Sequence, residues 1–490
     1  NNFDRTETLN SVYYAMFDPQ NGPRWQGNLK KYKVIGGEQV GQSGVAALND
    51  DNGHFSEDVT SYWSTAGSKD GDSVAEGGVA DMLRNKTNRV IYSDIGPKSG
   101  TQSSLELFTN TLAATSFGGT TKLATDLGVA DDDVDDYLNW AKGTNVDQVK
   151  LDDGTVPTIR PDVFGDPLHS KPLVVNYGSS IRIVIGTNAG VLHMFEDKGD
   201  SVDETWAFMP KEFFSNIKPL RDNFSSAAKI YGIDGRITSY VLDKNGDGIV
   251  NGTDKVWIFF GLRRGGSSYY ALDISNPNTP SIMWHIDAAS TTGFSQLGQT
   301  WSQPKVGYSK LNVTGSGDSA AAAPVLFFGG GYDASKDAAG VGGDDNRGNG
   351  VYMVDAESGA LKWSLAASGG TTTFAGTDSI PSSIGTLDSD GDGLVDRLYT
   401  GDTGGNVWRI DMPGSTPSDS SEPWTVFKLA SLAGASNATD YRFFSEPSIV
   451  RTFITETIEA EHTDADGVKT TIVRTQEKHY DAVLLGSGDR

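Results

Sequence analysis

The sequence predicts an all-β protein built as a β-propeller. Three observations carry that prediction. A unit of short strand-forming runs recurs at intervals of tens of residues. Glycine is abundant, 59 of 490 residues, which suits many tight turns better than long helices. Hydrophobic residues make up 37% of the chain, enough for a folded core though below the average for globular proteins.

The repeated unit is an apolar run ending in Gly, then an aromatic-x-apolar-acid strand, a turn and a Trp. Its copies are Ile181–Gly186 with His193-Met-Phe-Glu196 and Trp206, and Val256–Gly261 with Tyr270-Ala-Leu-Asp273 and Trp284. Val325–Gly329 with Tyr352-Met-Val-Asp355 and Trp363, and Arg397–Gly401 with Trp408-Arg-Ile-Asp411 and Trp424, follow. A fifth begins at Ala482-Val-Leu-Leu-Gly486. Ser-x-Pro opens several units, at Ser170, Ser302, Ser379 and Ser445. A small sheet of this kind cannot bury both faces alone, so radial packing against neighbouring sheets is the stable solution. In that arrangement Trp fills the wedge between blades, and the acid and Gly shape the hairpin turns. A set of unrelated hairpins is the plainer alternative.

Taken in order, residues 1–35 supply strands to the propeller. Tyr14-Ala-Met-Phe-Asp18 and Trp25 match the half-unit missing after Gly486. Either this segment closes the last blade as a strand clasp, or the native chain continues past Arg490. Residues 36–165 break the pattern and read as an irregular insertion with short helices at 77–84 and 131–140. Acids in the first turn of the second helix suit the helix dipole. Residues 166–490 hold the repeats, and about five to seven blades are expected.

The net charge of −24 argues against a nucleic-acid partner, which needs clustered Lys and Arg. With no cysteine, catalytic thiols and thiolate metal sites are excluded. No run of about 20 apolar residues is present to span a membrane. The chain begins at Asn1 without a signal peptide and reads as a processed product or a fragment.

The sharpest chemical signal is Asp388-Ser-Asp-Gly-Asp-Gly-Leu-Val-Asp396. Oxygen ligands fall at Asp388, Asp390, Asp392 and Asp396, Gly393 permits the sharp turn, and the Leu394 carbonyl adds another donor. Calcium wants six to eight oxygens, and so many carboxylates in one loop repel one another unless a cation fills it. A second loop repeats the scheme with Asp243, Asn245, Asp247, the Ile249 carbonyl and Asp254 in the twelfth place, where Asn251 or a water serves the ninth. Neither loop is flanked by helices, so they are EF-hand-like loops between strands whose first task is to rigidify blade connections. The bland readings are an Asp-Gly hairpin turn and a polar loop.

Other candidates are weaker. Asp464-Ala-Asp-Gly467 reads as a hairpin turn, Gly342–Gly350 as a flexible loop, and His193 as a packing residue within a strand. No phosphate loop, zinc-type His pair or nucleophile elbow stands out.

Trp25-Gln-Gly-Asn-Leu-Lys-Lys-Tyr32, Gly165-Asp-Pro-Leu-His-Ser-Lys-Pro172, Tyr269-Tyr-Ala-Leu-Asp273 and Gly486-Ser-Gly-Asp-Arg490 resemble signatures of the PilC/PilY family of type IV pilus tip-associated adhesins and assembly factors. The resemblance extends over essentially the whole chain. It implies a modified, quinoprotein-like propeller forming the family's C-terminal half, with Ca2+ in the loop of Asp388, Asp390, Asp392, Leu394 and Asp396. It implies a link between calcium occupancy and pilus extension against retraction. It implies minor pilins as partners at the pilus tip, with a host or abiotic surface beyond, and an extracellular or cell-surface location reached through the periplasm. The resemblance also implies an N-terminal half, often the adhesive module, that this stretch of sequence does not include, so direct receptor binding is not expected of these residues alone. The expected function is a non-enzymatic module of pilus extension and surface attachment. The competing readings are a calcium-dependent glycan-binding propeller and a quinoprotein dehydrogenase, whose strand, acid, turn and Trp pattern is shared.

Overall fold

The computed structural model describes residues 10–49, 52–99, 102–315, 321–338 and 341–488. Asp489 and Arg490 of the terminal signature lie outside the described residues. Contacts divide the chain into two compact units, Asn1–Val306 with Val354–Leu361, and Gly307–Met353 with Lys362–Arg490.

In the first unit, β1 (Ser11–Asp18), β2 (Gln26–Ile35) and β3 (Glu38–Val40) form an antiparallel sheet of their own. The strand clasp is therefore not formed among the described residues: the ladder partner of β1 is β2. The polar residues of β2 explain why it stays in place. Asn28 Nδ2 donates to the carbonyls of Val74, Glu76 and Gly77, each at 3.0 Å. Lys30 is fully buried against Asp70, Nζ to Oδ2 3.0 Å, and Lys31 Nζ reaches Asp197 at 2.6 Å. Buried charges persist only when paired in this way.

The helices of this unit follow: α1 (Gly78–Arg84), then, beyond β4 (Ile91–Ser93), the short pair β5 (Lys98–Ser99) and β6 (Gln102–Ser103), and β7 (Glu106–Leu107), come α2 (Asn110–Ser116), α3 (Thr120–Leu127) and α4 (Val134–Ala141). Thr109 caps α2 by accepting from Leu112 N, and Gly128 closes α3 at φ 71°. The apolar faces of α3 and α4 share a core with Phe108, Phe214 and Leu220. The two helices read from sequence correspond to α1 and α4, with Asp131–Asp133 forming a single 3-10 turn ahead of α4. The Thr- and Ser-rich α2 and α3 carry no such signal.

The repeats resolve into four-stranded meanders, antiparallel in the first, second and fourth. The first is β8 (Leu173–Asn176), β9 (Ile181–Thr187), β10 (Val191–Asp197) and β11 (Val202–Phe208). After α5 (Ile217–Asp222) the second is β12 (Ile237–Leu242), β13 (Lys255–Gly261), β14 (Ser268–Asp273) and β15 (Ser281–Asp287). The third is β16 (Lys305–Thr314), β17 (Ala321–Gly329), β18 (Gly350–Asp355) and β19 (Leu361–Ala366), edged by β20 (Thr372–Thr373). The fourth is β21 (Gly385–Leu387), β22 (Arg397–Gly401), β23 (Asn406–Asp411) and β24 (Thr425–Ser431). Each Gly-ended run is thus a second strand, each aromatic-x-apolar-acid segment a third, and the first three repeat Trp residues lie in fourth strands while Trp424 immediately precedes one. The insertion does more than pack against the repeats: β4 pairs in parallel with β11, and β7 with β4, extending the first meander to six strands. Strands of two or three residues leave no periodic signal in a sequence.

The Trp residues dock as the repeat predicts in the first unit. Trp206 Nε1 donates to the Pro277 carbonyl at 3.0 Å, and Trp284 Nε1 to that of Ala356 at 2.9 Å, each in the next meander's turn. In the second unit Trp363 and Trp424 bond inside their own meanders, to Thr372 Oγ1 at 2.8 Å and the Gly414 carbonyl at 2.9 Å, and their rings meet edge-on at 5.5 Å.

Last come β25 (Arg442–Phe443), the long hairpin of β26 (Ser448–Thr463) and β27 (Lys469–Leu484), and β28 (Ser487–Gly488), which pairs with β25. The hairpin is the two-stranded start of a fifth unit, turned at Asp464–Gly467, where Gly467 N donates to the Asp464 carbonyl at 3.1 Å. Its side chains are largely exposed.

Candidate metal centre

Both acidic loops occupy the same connection of a blade, between its first and second strands. The loop 388–396 joins β21 to β22 in the second unit, and the loop 243–254 joins β12 to β13 in the first. Each is pinned to the first strand of the preceding blade by the residue after its seventh position. Val395 N donates to the Tyr308 carbonyl of β16 at 2.8 Å, and Val250 N to the Asn176 carbonyl of β8 at 2.9 Å. This equivalence is a tertiary fact that the two sequences alone do not state.

In the loop 388–396, Asp388, Asp390 and Asp392 each place a carboxylate oxygen so that all lie within 4.8 Å of one another. No other trio of His, Cys, Asp or Glu among the described residues converges so closely. Asp388 organises the turn. Its Oδ1 accepts from Gly391 N at 2.6 Å and its Oδ2 from Gly393 N at 2.8 Å. Gly391 and Gly393 sit at φ 85° and 86°, a conformation that favours glycine. Asp390 accepts from Asp392 N at 3.2 Å and Asp392 from Leu394 N at 2.8 Å. Desolvation is the largest single influence on the Asp388 carboxyl and raises it, but the amides of Gly393, Gly391 and Asp392 together outweigh it and hold the group below its ordinary pKa.

The last acid has a different immediate task. Asp396 is buried and accepts from Ser389 N at 3.1 and 3.2 Å and from Ser389 Oγ at 2.6 Å. Asp254 does the same in the other loop, accepting from Lys244 N at 3.1 Å and Asn251 N at 3.0 Å. Ser389 and Lys244 are both second in their loops, so each closing acid staples its loop to the second residue.

The rest of the loop 243–254 copies the first. Asp243 accepts from Gly246 N and Gly248 N, both at 2.7 Å, and Asp247 from Ile249 N at 2.8 Å. Asn245 replaces one acid and donates to Asp247 Oδ2 at 3.0 Å. Asn251 Nδ2 donates to Asp247 Oδ2 at 3.1 Å and to the Ile249 carbonyl at 3.2 Å, bridging two expected donors with its own positive end. This loop is less charged and more self-satisfied.

The remaining candidates resolve plainly. His193 is buried with Nδ1 2.8 Å from Glu204, which Arg89 also grips at 2.7 and 2.8 Å, a packing role as expected. The loop at 342–350 is tied down rather than free: buried Asp345 accepts from Ser379 N at 2.7 Å and Thr403 Oγ1 at 2.8 Å. The segment at Gly165 is a network in which Asp166 meets Lys229 at 2.5 Å and His169 Nδ1 lies 2.7 Å from Asp234. A cluster that sequence reading missed joins Asp94, Glu212, Tyr270, His285 and Asp287 at a cavity of about 400 Å³ in the first unit. Its members come from distant elements, so no local spacing announces them.

A family model described as the PilY1 beta-propeller domain matches residues 174–489, a span that holds both loops and the hairpin. This chain belongs to the PilY1 β-propeller family. The chain is 29% identical over 292 residues to a type IV pilus biogenesis factor PilY1 of Pseudomonas aeruginosa, covering 53% of this chain and 22% of the relative. It is 26% identical over 273 residues to a PilY1 homolog of Xylella fastidiosa, covering 54% of this chain and 16% of the relative. The crystal structure of the P. aeruginosa PilY1 C-terminal domain aligns over 57% of this chain and 52% of that one, at 23% identity and a TM-score of 0.38. The chain spans 22% or less of the length of these two relatives. The N-terminal sheet and α1–α4 lie before the PilY1 family match.

Proposed function

We propose that this chain is the non-enzymatic, calcium-binding propeller of a type IV pilus tip adhesin and assembly factor, supporting pilus extension and surface attachment. The observation that carries the reading is the convergence of Asp388, Asp390 and Asp392 on one point, in a chain of the PilY1 family whose matched relatives are named type IV pilus biogenesis factors. Like charges so close favour a bound cation, and an all-oxygen donor set on a flexible turn suits Ca2+. Asp388, Asp390, Asp392 and Asp396 supply side-chain oxygens and Leu394 its carbonyl, with Asp396 also holding the loop through Ser389. Asp243, Asn245, Asp247, the Ile249 carbonyl and Asp254 form the weaker second site, with Asp254 also bonded to the Lys244 and Asn251 amides. The partners are minor pilins at the pilus tip and a host or abiotic surface, and the chain works outside the cell after passing through the periplasm.

Thermal unfolding with calcium titrated against chelator tests the site, on wild type and on Asp388→Ala with Asp392→Ala. A rise in Tm with calcium is expected for wild type, by RT ln(1 + [L]/Kd), and is expected to shrink sharply in the double variant. A wild-type Tm indifferent to calcium would overturn the reading.

A further inference from the structure

The loop 388–396 is bonded to the hairpin of β26 and β27 as well as to its own blade. Arg451 of β26 donates from Nη1 to the carbonyl of Ser389 at 2.6 Å. Ser389 is the residue between two converging acids, and its amide and hydroxyl already hold Asp396. The same guanidinium donates from Nε to Asp481 Oδ1 at 3.4 Å, and Arg451 and Asp481 are paired across the hairpin ladder. Asp481 Oδ2 in turn accepts from Arg397 Nη1 at 2.6 Å and from the Tyr399 hydroxyl at 3.1 Å. Arg397 directly follows Asp396 and begins β22. The bonds close a circuit: the loop's second residue, Arg451, Asp481, Arg397, Asp396, and back to the second residue.

We propose that Arg451 is a positioning residue for the calcium loop, and that through it calcium occupancy and the register of the hairpin base are coupled. The proposal rests on the calcium reading above and adds the element that responds to it. The Ser389 carbonyl belongs to the peptide that leads into Asp390, so the bond from Arg451 sets the plane from which that acid projects. A charge-assisted bond to a carbonyl is stronger than a neutral one and directional. Without the ion, three neighbouring carboxylates repel and the loop samples other turns, taking the Ser389 carbonyl away from Arg451. With the ion, the loop holds one conformation and the carbonyl stays where the guanidinium needs it. Linkage makes the effect reciprocal: a hairpin base locked through Arg451 also tightens calcium binding.

Further from its base the hairpin's ion pairs, Lys478–Glu456 and Lys469–Glu461, join only its own two strands. Val450, Phe453, Ile454, Ile458, Ile472, Val473, Tyr480 and Leu484 are exposed along it, and beyond its base the strands pair only with each other among the described residues. An isolated two-stranded hairpin is marginal in water. A cross-strand ion pair bonded to the loop therefore adds a directional link between the hairpin base and the blade beside it.

The test measures calcium affinity by titration calorimetry and hydrogen exchange of the hairpin amides, with and without calcium, on the full chain. It compares wild type, Arg451→Ala and Arg451→Lys. In wild type, calcium is expected to slow exchange at amides near Val450 to Thr452 and Tyr480 to Ala482. Arg451→Ala is expected to weaken calcium binding about five-fold and to abolish the calcium-dependent slowing, while the chelated protein keeps its fold. Arg451→Lys, with one donor group in place of the fork, is expected to fall between. Unchanged calcium affinity and unchanged slowing in Arg451→Ala would overturn the coupling while leaving the calcium site intact. Absence of calcium binding in wild type would instead overturn the calcium reading itself. If Arg451→Ala fails to fold, Arg451→Lys decides: wild-type affinity and wild-type slowing there would sink the proposal.

Discussion

Glu212 carries a charge that its surroundings oppose. Burial pushes its carboxyl up to about 7, the hydrogen bond from the Tyr270 hydroxyl pulls the other way, and the nearby Asp94 adds to the rise. An acid whose pKa is raised on folding stabilises the protein fully below its unfolded value, ordinarily 4.5, and that contribution is lost as pH climbs through about 7. Glu212→Gln keeps an acceptor for Tyr270 but cannot ionise. Urea unfolding at a series of pH values is expected to show wild type losing stability relative to Glu212→Gln between about 4.5 and 7. Parallel pH profiles would show that Glu212 does not titrate in this way. The closing acids Asp396 and Asp254 make a different point at the same scale. Residue type and spacing identify them as oxygen donors, yet which atoms they bond is set by the backbone around them. The spacing reveals the acids of the loops, and it does not reveal that Asp396 and Asp254 also bond the second residue of each loop.

The tryptophans show how blades are joined at the level of elements. Trp284 of β15 rests on the turn before β19, where Gly359 takes φ 70°. A Cβ on Gly359 would stand 2.7 Å from Trp284 Cγ, and the turn conformation is itself costly for a residue with a side chain. Gly359→Ala is expected to destabilise the chain by about 1–3 kcal/mol, through overpacking and turn strain together. Chemical denaturation checks it, and Ser358→Ala on the exposed side of the same turn serves as the mild comparison. The repeat made Trp284 legible and left Gly359 silent, because a glycine in a turn has no partner written beside it. The hairpin behaves similarly. Its Gly-ended second strand was legible at Ala482–Gly486, whereas the link from Arg451 to Ser389 joins residues 62 apart in the chain and needed coordinates.

The molecule as a whole carries a net charge of −24, so its folded form is held together against self-repulsion. Raising monovalent salt from about 10 mM to about 150 mM shortens the screening length from about 30 Å to about 8 Å. Tm is expected to rise with sodium chloride in wild type and equally in the Asp388→Ala, Asp392→Ala variant, since most of the charge lies elsewhere. The increment from calcium at constant ionic strength is expected to be much smaller in the variant, where only the weaker second loop remains. Scanning calorimetry separates the two, and an equal calcium increment in both proteins would mean that calcium does not act through the loop 388–396.

The sequence by itself determined the β-propeller class, the recurring strand segments of each repeat and the acids of both loops. These are properties of local pattern: alternation, turn residues and ligand spacing are written within a few residues of one another. Tertiary structure alone decided that the N-terminal strands form their own sheet, that β4 and β7 extend the first meander, and that Asp396 and Asp254 staple their loops. It alone decided the cluster around Glu212 and the circuit through Arg451. Each of these depends on groups brought together from distant parts of the chain by burial and pairing, and a linear pattern carries no record of such meetings.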